Sequence, residues 1–228
     1  MSLTVNKFIE DVIKDDSYSN LYHYTDLRNL ESIYYFNKLI SCAIASPSLS
    51  VSRRKCPQEI NYQGHVFIAN DQLPISETIM EYGCLVQQFR QFLDRHVFFW
   101  LRRNDCRIMY KSYARRNHNK QAVIFVLNSR LLIQHNFHRI KLCKYNSGSS
   151  PLYPQTCNYR KSPNIFVQAS EFGLTSNSTH PSKANDIKEI LVEDQVADLS
   201  IYIQQIYTSS NSVLPDPWKG FFCNINDF

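Results

Sequence analysis

Short runs dense in β-branched and aromatic residues set the tightest limit on this chain: HVFIA (65–69), HVFFWL (96–101), QAVIFVL (121–127) and IKEILV (187–192). Each is too short for an ordinary helix and too apolar for an exposed loop, so each reads as a strand. LYHY (21–24), HRIKLC (138–143) and NIFVQA (164–169) give further strand signals, and LSIYIQQIY (199–207) fits either element type. Helical periodicity is concentrated earlier. Val5, Phe8, Ile9, Val12 and Ile13 share one face of a first helix that ends before DDSYSN. Thr25 or Asp26 can cap a second helix carrying Leu27, Leu30, Ile33 and Tyr34. A third starts near Ser76 and turns Ile79, Tyr82, Val86, Phe89 and Leu93 inward. RRNDCRIMYKSYARRN (102–117) is a basic helix, whereas SPSLSVSRRKCPQEINYQ (46–63) lacks periodicity and reads as a loop. Residues 144–186 are mostly polar, and so long a stretch inside a domain is usually functional. Helices first and strands later favour the α+β class over a doubly wound α/β fold.

The length of 228 residues suits a single domain, and 43% hydrophobic residues suffice for a core. Five glycines, with neither G-x-G-x-x-G nor G-x-x-x-x-G-K-[ST], remove the main support for Rossmann and P-loop readings. Seven widely spaced cysteines without a C-x-x-C favour neither a disulfide framework nor a zinc site, and read as reduced thiols. The opening MSLTVNKFIEDVIKDD lacks the basic flank and apolar run of a signal peptide, and no apolar run of about 18 residues occurs. The expectation is a cytoplasmic protein with no membrane partner and no metal.

The net charge is +5, but residues 102–120 hold seven Lys/Arg and one Asp, a local net charge of +6 that leaves −1 elsewhere. Arg103, Arg107, Lys111 and Arg115 recur at i+4 and form one cationic helix face. Such a face repels itself unless an anion sits on it, which points to a nucleic-acid backbone. Tyr110 and Tyr113 flank it and are offered to stack on bases. The competing reading is a solvated face. Glu189 interrupts an apolar strand, a costly place for an ionisable group unless paired or functional. The competing reading there is an edge carboxylate facing solvent. His23 precedes a capped helix in a strand-like stretch, where a satisfied structural histidine is equally compatible.

The order of these motifs resembles the DarT-type ADP-ribosyltransferases, bacterial toxins that modify DNA bases, and more closely an uncharacterised bacterial family of the same layout. Tyr22-His23-Tyr24-Thr25 followed by Asn29-Leu30-Glu31-Ser32-Ile33 matches the family's opening strand and helix. Arg53 or Arg54 stands where the family has a functional arginine. Val97-Phe98-Phe99-Trp100 resembles its aromatic strand, without the family's proline. Glu189-Ile190-Leu191-Val192 matches the catalytic glutamate and the run after it, with 170–186 in place of the target-recognition loop.

The resemblance implies an ADP-ribosyltransferase-like split sheet with helices over residues 1–228, its core at about 20–207. It implies NAD as substrate, with Glu189 and Arg53 or Arg54 catalytic and His23, Tyr24, Thr25 and Phe99 around NAD. Arg103, Arg107, Lys111 and Arg115 would grip DNA or RNA, and a macrodomain-type antitoxin is a candidate partner. Two other functions compete: a non-catalytic nucleic-acid-binding module, and the same fold modifying a protein or small molecule. A metal-dependent nuclease is disfavoured, because the acidic residues do not cluster as ligands.

Overall fold

The computed structural model describes residues 3–14, 18–116 and 122–228. The start of DDSYSN (15–17), the end of the basic segment (117–120) and residue 121 lie outside the described residues. The chain runs α1 (Leu3–Val12), β1 (Asn20–Asp26), α2 (Leu30–Phe36), β2 (Leu39–Ile40), α3 (Cys42–Ala45), β3 (Gln58–Tyr62), β4 (His65–Ala69), α4 (Val86–Asp94), β5 (His96–Phe99), α5 (Arg103–Arg116), β6 (Ala122–Asn128), α6 (Ser129–Asn136), β7 (Ile140–Cys143), β8 (Phe166–Gln168), β9 (Glu189–Glu193), β10 (Gln195–Val196), β11 (Ile203–Thr208) and β12 (Phe222–Asn224). Short 3-10 turns connect many of them.

The class is α+β and the sheet is split. One four-stranded sheet has the order β1-β6-β11-β12 and the other β5-β9-β7-β8; the second is antiparallel throughout. They meet at one antiparallel bridge, where Tyr22 and Trp100 exchange two main-chain hydrogen bonds of 2.9 Å. Beyond it β1 and β5 part. The His23 ring fills the wedge, its Nδ1 lying 2.9 Å from the Phe98 carbonyl.

The continuous apolar run of β6 follows from burial on both faces. Val123, Phe125 and Leu127 enter the main core, while Ile124 and Val126 join Tyr22, Trp100, Cys106, Tyr207, Ile225 and Phe228. α1 buries Val5, Phe8, Ile9 and Val12, with Phe8 edge-on to Phe137 and Phe172.

Local expectations fail where pairing or a turn overrides the pattern. Residues 46–63 are not all loop, because β3 pairs with β4 in a hairpin. Its two turn residues, Gln63 and Gly64, have φ of 52° and 85°, the left-handed pair that a two-residue hairpin requires. The third helix is broken. Ser76 caps only one 3-10 turn, Met80 then bridges Lys161, Gly83 (φ 81°) redirects the chain, and helix resumes at Val86. Tyr82, expected inward, is fully exposed. β1 runs on to Asp26, whose carboxylate accepts from Arg28 N–H and caps a 3-10 turn before α2. α6, with Asn128 as its cap, was not anticipated.

Candidate active site

A cleft of about 240 Å³ opens where the two sheets part. β1 contributes His23, Tyr24 and Thr25, β9 contributes Glu189, and Arg54 and Asp94 line the cleft as well. Asn29 holds the β1 side in place. Its buried amide donates to Thr25 Oγ1 (2.9 Å) and to the Ile68 carbonyl (3.1 Å), and its oxygen accepts from Ile68 N–H (2.6 Å). Asn29 thereby acts as a strand neighbour for β4, a role that its place in a motif did not reveal.

His23 Nδ1 faces a carbonyl, so that nitrogen carries the proton and Nε2 keeps its lone pair. Burial pushes the pKa of His23 down to about 4, and the imidazole is neutral at pH 7. Phe99 is fully buried on the core side of the His23 ring, at 5.4 Å between centroids; its neighbour Phe98 lines the cleft. Tyr24 stacks on Tyr113 of α5 at 4.9 Å and 9°. Burial raises both phenols, Tyr113 to about 12, so both stay neutral. Tyr113 is therefore committed to the cleft wall rather than offered to a base, and Tyr110 lies 6.2 Å from Tyr24.

Glu189 is 2% exposed. Its carboxylate accepts from Ser147 Oγ at 2.6 Å and from Ser147 N–H at 3.2 Å. Burial pushes its pKa up, against the two Ser147 hydrogen bonds and the charge of Lys161. It is thus no edge carboxylate facing solvent. Glu193, at the other end of the strand and by alternation on the same face, is taken up in ion pairs with Arg95 (2.6 Å) and Lys141 (3.3 Å).

The two adjacent arginines differ sharply. Arg54 is 4% exposed and forms a bidentate pair with Asp94, both contacts 2.8 Å. Its remaining donors reach the Asn70 and Leu49 carbonyls and Cys42 Sγ, so all five N–H groups are engaged. Arg53 gives its Nε to the Gln72 carbonyl at 2.9 Å and does not line the cleft. A residue that the sequence did not single out, Arg90 of α4, lines the cleft with its buried Nε unpartnered among the described residues. Its spacing from Asp94 by one helical turn was the available signal.

The cationic stripe of α5 divides. Arg103 donates to the Asp227 carbonyl (2.6 Å) and lies over the Tyr207 and Phe228 rings, and Arg107 donates to the Phe228 carbonyl (2.6 Å). Lys111 and Arg115 are exposed. Among the described residues no cluster of three or more His, Cys, Asp or Glu could hold a metal ion, and no helix is long and apolar enough to cross a membrane.

A family model described as a family of unknown function (DUF7002) matches residues 19–203. The chain belongs to that family. Solved structures similar to it include DarT from Thermus sp. 2.9 in complex with NAD+, at 13% identity and a TM-score of 0.40, covering 86% of this chain and 84% of that one. The same protein in complex with ADP-ribosylated ssDNA matches at 13% identity and 0.41 over 86% and 84%. Its complex with carba-NAD+ matches at 15% and 0.39 over 86% and 85%. No curated protein matches the sequence.

Proposed function

We propose that this chain is an NAD-dependent ADP-ribosyltransferase whose acceptor is a nucleic-acid base. One observation carries the reading: His23 and Glu189, far apart in sequence and on different sheets, line the same cleft. In this reaction the bond between nicotinamide and ribose breaks, nicotinamide leaves with the bonding pair, and positive charge develops on the ribose. A buried carboxylate placed against that charge and the ribose hydroxyls stabilises it without reorganisation. Glu189 takes that role, and the neutral His23 Nε2 accepts from a hydroxyl of the adenosine ribose. The acceptor nitrogen then bonds to the ribose carbon and gives up its proton.

Arg54 cannot also clasp a phosphate, since its donors are taken within the protein. Arg90, which lines the cleft, takes the diphosphate, and Arg53 adds its charge from just outside the lining residues. Asp94 is clasped by Arg54, while the charges of Arg53 and Arg90 lie close enough to repel, which favours an anion beside them. The alternative of a non-catalytic nucleic-acid module is weakened because Arg103 and Arg107 are spent inside the molecule. Lys111 and Arg115 are left for a backbone.

The test is direct. Purified protein should gain thermal stability with NAD, because a ligand of the folded state stabilises it by mass action. It should also release nicotinamide when single-stranded DNA or RNA is added. Absence of both effects would overturn the reading; release with a protein acceptor and none with nucleic acid would move the acceptor alone.

A further inference from the structure

Lys161 is fully buried, a setting in which an ammonium group is costly unless its donors are met. All three go to main-chain carbonyls: Asn146 at 2.7 Å, Ser147 at 2.8 Å and Ser149 at 2.5 Å. These belong to one short turn. The same turn presents the Ser147 N–H and Oγ–H to the Glu189 carboxylate, and Ser147 is itself fully buried. The base of Lys161 is fixed as well, its N–H donating to the Ile79 carbonyl at 2.7 Å and its own carbonyl accepting from Glu81 N–H at 2.9 Å. Lys161 and Glu189 make no direct ion pair; the turn stands between them.

We propose that Lys161 is a positioning residue, which folds the 146–149 turn so that Ser147 holds the Glu189 carboxylate in one orientation at the cleft wall. Its use in catalysis rests on the role given to Glu189 above; the positioning itself does not. Three carbonyl dipoles converging on one point would repel each other without a cation there. A single lysine therefore supports the turn, and the turn supplies two donors to the carboxylate. Burial also pushes the Lys161 pKa below the usual lysine range, against the charge of Glu189.

The experiment is an NMR titration of the intact chain with the Glu189 side-chain carboxyl and the Ser147 amide labelled. Both signals should step together in the wild type as Lys161 loses its proton, below the pH at which an ordinary lysine does. In Lys161→Met the Glu189 carboxyl should titrate at higher pH, and the Ser147 amide should exchange at least about tenfold faster, as for local opening of a supported turn. Lys161→Arg, which keeps the charge, should recover part of that protection. Unchanged signals across the titration and in Lys161→Met would overturn the proposal. A step at Glu189 without one at Ser147 would overturn the route through the turn. If Lys161→Met does not fold, Lys161→Gln takes its place in the same comparison, and an unchanged Ser147 amide there would overturn the proposal. Enzyme assays separate this idea from the functional reading. A wild type that releases no nicotinamide sinks the latter and leaves the NMR outcome standing. In an active protein, Lys161→Met should lower kcat with KM for NAD unchanged.

Discussion

Glu189 and Glu193 stand at the two ends of one five-residue strand and have opposite circumstances. Glu189 is buried at the cleft with Ser147 as its hydrogen-bonding partner, while Glu193 faces Arg95 and Lys141. Glu189→Gln removes the charge and keeps the shape. It should lower nicotinamide release by roughly 10²–10³, the usual cost of losing one preorganised electrostatic partner, with NAD affinity nearly intact. Glu193→Gln should leave the rate unchanged and alter stability by no more than about 1 kcal/mol, as for a partly exposed pair. Rates and NAD titrations on both variants check this, and the reverse pattern would transfer the role to Glu193. Glu189 was legible because a charge stood in an apolar strand. Ser147 and Lys161 were not, since they belong to a polar stretch whose contacts are made by folding back rather than by periodicity. Arg53 and Arg54 were inseparable for a similar reason: only burial and donor count distinguish two identical side chains in one loop.

The Arg54–Asp94 clamp ties the loop before β3 to the end of α4, with Gln72 adding contacts of 3.1 and 3.2 Å to the same carboxylate. Removing one partner of such a buried pair leaves the other charge uncompensated, at a cost of about 3–5 kcal/mol. Asp94→Asn should therefore lower the unfolding free energy by that order in a denaturant titration. Arg54→Lys should not spare the fold, because an ammonium cannot make five directed bonds. A small loss in both variants would mean that the loop relaxes and that the clamp is incidental. The clamp was invisible to pattern reading, whereas the strands at 65–69 and 96–99 were found almost residue for residue. Apolar strands announce themselves by composition. The hairpin strand β3 did not, because its burial is slight and its signal was the turn at Gln63-Gly64 rather than its own side chains. The misjudged third helix shows the opposite error, an apolar period carried across a glycine that ends it.

At the scale of the whole molecule the class was readable but the way its two sheets join was not, since one bridge between residues 22 and 100 decides it. That seam has a consequence for pH. His23 fills the wedge between the sheets, and His96 stands where β5 begins, its Nδ1 donating to the Phe92 carbonyl at 2.7 Å and its buried Nε2 unpartnered among the described residues. Burial pushes both pKa values down to about 4, from an ordinary 6.5. Around His96, Lys141 and Arg95 reinforce the depression while Glu193 opposes it. Both imidazoles are thus neutral when folded, and the unfolded chain binds the extra protons first. Stability is fully present above about pH 6.5 and is lost as pH falls towards 4. Urea midpoints measured across that window should decline steadily in the wild type. Replacing His96 with Gln should flatten the slope by the share of one histidine, and replacing His23 with Gln by the other. If neither replacement changes the slope, neither histidine is held neutral by the fold, and the lone pair assigned to His23 Nε2 falls with it.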